Sequence, residues 1–204
     1  MRVLIEQVSF SYGDRPVLRD VSATLKAGRV TAIVGPSGSG KSTLLALMAG
    51  LRRPAAGRVV LEHDDGSVTP ADPGRCGWVP QGADVMGHRT VVDNAMIGAL
   101  AAGASLVSAR AAALRALDRV HLGHLGHAPA RTLSGGERHR LAFARALAAP
   151  RPIILLDEPT ASLDAVAARE IARMLAALDH QAVIAVATHD PLVVAAADAE
   201  VRLR

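Results

Sequence analysis

The segment Gly35-Pro36-Ser37-Gly38-Ser39-Gly40-Lys41-Ser42-Thr43 carries the strongest chemical signal in this chain. It fits the pattern G-x-x-x-x-G-K-[ST], whose small residues let successive backbone N–H groups curl around a phosphate. In such a loop Lys41 reaches the β- and γ-phosphates, Ser42 offers its hydroxyl to Mg²⁺, and the following helix N-terminus adds its positive end. The expected ligand is a nucleoside triphosphate with Mg²⁺. The loop alone does not separate a kinase from an ATPase.

A second group of polar residues belongs to the same chemistry. The apolar run Ile153 to Leu156 delivers Asp157 and Glu158 at its end, where ligands of parallel sheets bind. Asp157 is expected to hold Mg²⁺ through its water shell. Glu158 is the candidate general base that orients or deprotonates water in line with the γ-phosphate. Leu133-Ser134-Gly135-Gly136-Glu137 reads as a capping box, Ser134 with Glu137 three residues on, and its bare glycine amides also make an exposed anion site. His121, His124 and His127 recur every third residue, but Gly123 and Gly126 break the helix that would align them, so they are read as a turn rather than a metal site.

For the loop to work it must leave a strand and open a helix. Val30 to Val34 is a β-branched run stopping at Gly35, and Lys41 to Ala49 has helical composition with Gly50 as its stop. Upstream, Val3 to Val8 and Val17 to Leu25 flank the Tyr12-Gly13-Asp14 turn and read as antiparallel strands. Short strands are expected at Arg58 to Leu61 and Gly77 to Val79, with His63 to Gly74 between them as a surface loop. Val91 to Val120 and Leu133 to Ala149 read as helices. Past Pro150 strands and helices alternate: strand Ile153 to Leu156, helix Ala165 to Leu178, strand Val183 to Ala187, helix Leu192 to Ala197, strand Val201 to Leu203. The expected fold class is α/β: a P-loop NTPase (RecA-like) core with a parallel sheet covered on both faces, an N-terminal antiparallel β part and an inserted α-helical subdomain. A single domain over 1–204 follows, with the core at 1–86 and 150–204 and the insertion at 87–149.

Composition narrows the function classes. The 204 residues are 50% hydrophobic and 21% charged, enough apolar material for a core and too much for disorder. No apolar run reaches the ~18 to 20 residues of a membrane helix. The N-terminus lacks the pattern of a secretory signal, and the single cysteine, Cys76, fits a reducing compartment, so a cytoplasmic location is expected. Net charge is +4, the longest basic cluster is Arg52-Arg53, and aromatics are 2%; without a stacking platform, nucleic acid is not an expected partner.

The phosphate loop, the Leu133 to Glu137 segment and the Asp157-Glu158 strand, in that order, resemble the nucleotide-binding subunit of an ATP-binding cassette (ABC) transporter over essentially the whole chain. The resemblance implies ATP and Mg²⁺ as ligands and further site residues. Tyr12 falls where the family stacks an aromatic ring on adenine. Gln81 falls at its glutamine that touches Mg²⁺ and leads into the helical insertion. Asp164, in Ser162-Leu163-Asp164, lies in the loop that crosses the dimer, and His189 matches the γ-phosphate-sensing histidine. The family pairs two subunits head to tail, so Ser134, Gly135, Gly136 and Glu137 of one enclose the ATP bound at Gly35 to Thr43 of the other. It implies ATP hydrolysis driving transport, a homodimer or second ATP-binding subunit, separate transmembrane permease subunits, and a place on the inner face of the cell membrane. The Ala-Thr-His-Asp-Pro segment leans toward the lipoprotein-release and macrolide-export type. Two departures stand out: His139 where the family commonly has glutamine, read as neutral for the chemistry, and the segment Gly82 to His88, which lacks the usual aromatic or Leu-Pro residues near the membrane partner. The rival readings are an ABC-type ATPase of a soluble complex and a small-molecule kinase, which would have no use for Leu133 to Glu137.

Overall fold

Six consecutive buried residues, Val183–Thr188 (β8), set the centre of the molecule. In the computed structural model, which describes residues 1–178 and 181–204, β8 lies in a five-stranded sheet between Ile153–Asp157 (β7) and Arg29–Val34 (β3). Cys76–Val79 (β6) and Ala199–Arg202 (β9) flank them, giving the order β6-β7-β8-β3-β9 with every pair parallel. A strand buried on both faces reads as a continuous apolar run, which is why β3, β7 and β8 show no polar alternation.

Successive side chains of these strands feed two cores, as the period of two requires. Ile153, Leu155, Val183 and Ala185 join a cluster with Leu44, Leu45, Leu47 and Met48 of helix α1 (Lys41–Met48) and with Val3, Ile5 and Leu25 of the N-terminal sheet. Ile154, Leu156, Ile184 and Val186 face the other way, into a cluster with helices α2 (Val91–Ala101), α3 (Leu106–Arg119), α4 (Gly135–Ala148) and α5 (Ala165–Ala176). A sixth helix, α6 (Pro191–Ala196), precedes β9. Among the described residues, no single helix is long and apolar enough to cross a membrane. Helices α2 and α3 qualify together only as a pair bent by 119°.

The N-terminal sheet is antiparallel, with order β2-β1-β4-β5 from β1 (Arg2–Tyr12), β2 (Arg15–Lys26), β4 (Ala56–Glu62) and β5 (Val68–Pro70). Strand β5 corrects the expectation of a plain loop over His63 to Gly74. Val68 pairs with Glu62 and Pro70 with Val60, closed by a turn in which Ser67 O accepts from His63 N–H at 2.8 Å. Three polar-flanked residues give no alternation to read, and the sheet edge tolerates a proline that cannot donate. The segment ends in a 3-10 turn, Pro73–Arg75, capped by Asp72. The remaining elements lie within a few residues of their expected positions, and the expected helical stretch Val91 to Val120 divides into α2 and α3.

Candidate active site

Four parallel strands end side by side, and the residue just past each end is one that the sequence singles out. Val34 of β3 leads into Gly35, Asp157 of β7 into Glu158, Thr188 of β8 into His189, and Val79 of β6, one residue further on, into Gln81. The register holds them level, with Val34 opposite Thr188, Asp157 opposite Ala187 and Val79 opposite Leu156. The carboxyl edge of a parallel sheet therefore gathers residues separated by up to 154 positions into one crevice. A cavity of about 810 Å³ opens there, lined by Tyr12, Pro36, Ser37, Gly38, Gly40, Lys41, Ser42, Thr43, Gln81, Glu158 and His189, together with Arg15 and Val17.

The glycine loop is built around tight approaches. Gly40 sits at φ 92, and a Cβ there would meet Val17 and Leu18 side-chain carbons at 2.8 Å, so a larger residue would be strained and crowded against β2. Lys41 follows as the first residue of α1, its side chain only 8% exposed. Its ammonium donates to Gly35 O at 3.0 Å and Pro36 O at 3.3 Å, and lies 3.3 Å from Glu158 Oε1. Gly35 and Ser39 stand behind the loop rather than on the cavity wall: a Cβ on Gly35 would be 2.5 Å from Ser39 Oγ, a buried hydroxyl with no hydrogen-bond partner among the described residues.

Glu158 is the centre of the charge arrangement. It adopts φ 47, the left-handed region that non-glycine residues seldom occupy, with its N–H donating to Ala187 O at 2.8 Å. Oε1 faces Lys41, and Oε2 accepts from His189 Nδ1–H at 2.9 Å. The Glu158 side chain is 12% exposed, whereas His189 is 70% exposed at the rim. Beside them, Ser42 Oγ donates to Asp157 Oδ1 at 2.9 Å. Burial pushes the Asp157 carboxyl above its ordinary range; the Ser42 hydrogen bond opposes this shift, and neighbouring Glu158 adds to it. A hydroxyl and a carboxylate oxygen meet here at one point, a pair of oxygen donors suited to a hard cation such as Mg²⁺; Ser42 and Gln81 both line the cavity, and Asp157 stands behind Ser42 outside its described lining.

Tyr12 is half exposed at the cavity mouth. The Phe10 ring meets it edge-on at 4.9 Å between centroids, and the Arg52 guanidinium lies 5.8 Å over its ring.

The Ser134 to Glu137 segment stands apart. Ser134 Oγ accepts from Glu137 N–H at 3.3 Å, and Ser134 N–H donates to Glu137 Oε2 at 2.7 Å, so the capping box expected from sequence starts α4. Gly136 lies against α5, where a Cβ would be 2.8 Å from that of Ala167, and the Cβ position of Gly135 is 3.5 Å from Leu163. Asp164 caps α5 through Oδ1, accepting from Val166 and Ala167 N–H at 2.9 Å each. Ser134, Gly135, Gly136, Glu137 and Asp164 are absent from the described cavity lining. Sequence reasoning missed Arg15 and Val17; their only signal is their place just past the Tyr12 to Asp14 turn. His139, singled out in the sequence as a departure neutral for the chemistry, places both ring nitrogens near main-chain carbonyls.

Residues 18–161 match the family model described as ABC transporter. The chain belongs to this family. The sulfate/thiosulfate import ATP-binding protein CysA 2 of Rhizobium meliloti (strain 1021) is 37% identical over 179 residues, covering 86% of this chain and 49% of that protein. This cassette thus spans about half the length of the curated relatives it matches. Its fold superposes on cbiO1 of Clostridium perfringens, part of the ABC transporter complex cbiONQ, with TM-score 0.87 and 29% identity over 99% of this chain and 84% of that one. The dimeric structure of MJ0796, a bacterial ABC transporter cassette, gives TM-score 0.78 and 29% identity over 98% of this chain and 94% of that one.

Proposed function

We propose that this cassette binds ATP with Mg²⁺ in the cavity at the sheet edge and hydrolyses it as one of two cassettes that close on each other, powering transport through separate transmembrane subunits. The observation that carries the reading is the Glu158 carboxylate, set between Lys41 and His189 beside the Ser42–Asp157 pair. Glu158 takes a proton from the attacking water, Lys41 and the amides of Gly38 to Ser42 hold the β- and γ-phosphates, and His189 reads the γ-phosphate from the rim. Tyr12 stacks on the base. Ser42, Asp157 and Gln81 hold Mg²⁺, which supplies neutralising charge to the phosphate oxygens. In this reading the chain is one domain, with core 1–86 and 150–204 and insertion 87–149.

Separation of Ser134 to Glu137 from the cavity supports a shared site. Each cassette lends its helix tip, with Asp164, to the nucleotide of a second copy or a second ATP-binding subunit; that a similar cassette has been solved as a dimer supports the pairing. Losing the γ-phosphate reopens the pair, a population shift that permease subunits at the inner face of the membrane convert into transport. The lean toward lipoprotein-release and macrolide-export cassettes finds no support in these relatives; the sulfate/thiosulfate relative, an importer by name, favours import of a small solute.

Lys41→Ala tests the site. Loss of ATP binding is the expected result in equilibrium titration, and undiminished ATPase activity would discard the assignment. Release of inorganic phosphate without a second phosphorylated small molecule separates this ATPase from a kinase.

A further inference from the structure

The structure ties the loop that carries Gln81 to the helix that carries Ser134. His139, in the second turn of α4, faces two carbonyl oxygens: its Nδ1 lies 3.1 Å from Gly135 O, one turn back, and its Nε2 lies 3.2 Å from Gln81 O, 58 residues away in sequence. A carbonyl can only accept, so the ring nitrogen that bonds it must carry the proton; the Nε2–H form makes the long-range tie. Gln81 lines the cavity at the sheet edge and its backbone carbonyl faces His139, so the ring holds the main chain of a residue placed at that cavity.

Farther along the segment, other groups do the holding. Arg145 donates from Nη2 to Asp84 O at 3.0 Å, Asn94 from Nδ2 to Met86 O at 3.1 Å, and Arg131 from its backbone N–H to Gly87 O at 3.0 Å. Those contacts fasten residues 84–87 to the helical part. The His139 contact fastens Gln81 itself, and does so to the first turns of α4 rather than to its body.

We propose that His139 is a positioning residue for ATP hydrolysis: by donating from Nε2–H to Gln81 O it sets Gln81 against the nucleotide and makes that setting move with the Ser134 helix tip. The proposal rests on the ATP-hydrolysis reading above. A glutamine at this position would keep the tie, because its terminal amide can place an N–H near the point that His139 Nε2 occupies.

The test compares the unaltered full chain with His139→Leu, which keeps bulk but has no donor, and His139→Gln. In the leucine variant kcat for ATP should fall about fivefold, the effect of one lost hydrogen bond, while KM stays within about twofold. The glutamine variant should return to within about twofold of the unaltered kcat. Hydrogen exchange of the amides at 82–84, measured without nucleotide, should speed up about fivefold in the leucine variant and not in the glutamine variant. Equal kcat and equal exchange in all three proteins would overturn the proposal, as would a leucine effect confined to KM. If the unaltered chain does not hydrolyse ATP, the functional reading falls by itself, and the exchange measurement still decides whether His139 holds the loop. Should the leucine variant fail to fold, His139→Asn, too short to reach Gln81, takes its place with the same expected outcomes.

Discussion

Glu137 illustrates how one side chain can serve two purposes. The Ser134 N–H bond, chiefly, holds the Glu137 carboxyl below its ordinary value of 4.5, with the Ser134 hydroxyl adding to the effect and burial opposing it. Because the folded chain holds that proton more weakly than the unfolded chain, the contribution is complete above pH 4.5 and is lost as pH falls through the lowered folded value. Ser134→Ala should lower stability by about 1 kcal/mol at neutral pH, a fall of roughly 2–4 °C in Tm. Glu137→Gln should flatten the acid limb of the same melting curve; an unchanged limb would show that the box contributes nothing. Cys76 offers a contrast. Burial pushes its thiol up to about 12, so this cysteine remains an inert core group at neutral pH. At this scale the sequence was highly informative where a pattern recurs locally. The phosphate loop, Asp157-Glu158 and the Ser134 box each lie within a few residues. His139 was opaque because its partner is a main-chain oxygen 58 residues off, which no side-chain pattern records.

Elements were legible to the extent that burial imposes a period. Strands β7 and β8 announce themselves by apolar runs, β3 by an apolar run that only Thr31 interrupts, and α4 by its cap. Strand β5 has neither, since two of its three residues are exposed and it exists only because β4 offers an edge. Packing between helices leaves a different trace, in glycine. Gly98 of α2 lies so close to α4 that an added Cβ would fall 2.0 Å from Arg145 O, a backbone atom with little room to yield. Gly98→Ala should therefore force the two helices apart, lowering stability by about 1–3 kcal/mol although alanine is the better helix former. A melting curve unchanged or raised by this substitution would show that the helices can separate without loss. Since Arg145 also holds Asp84 O, the same variant should loosen the stretch beyond Gln81.

For the whole molecule, the cavity and the Ser134 tip occupy different parts of one chain, and in the proposed reading a second cassette brings them together. Glu158→Gln, which keeps the shape of the site and removes the candidate base, should bind ATP and hydrolyse it at least about a hundredfold more slowly, the scale of lost general-base assistance. Gel filtration of this variant with Mg²⁺-ATP should show a dimer that ADP does not support. A strictly monomeric elution at high protein concentration would count against the shared site. The two cores fit this design, since one joins the phosphate-loop helix to the N-terminal sheet and the other joins the sheet to the helices that carry the tip.

In the proposed mechanism the ion pair between Lys41 and Glu158 would act as a safety catch. The cation meant for phosphate and the anion meant for water neutralise each other across 3.3 Å while both lie largely hidden from solvent. Under the proposed function, a triphosphate that takes Lys41 as its partner would free the Glu158 oxygen that now faces it, so that capture of fuel and release of the proton acceptor would be one event. Lys41→Gln would then leave Glu158 without that partner whatever the nucleotide does.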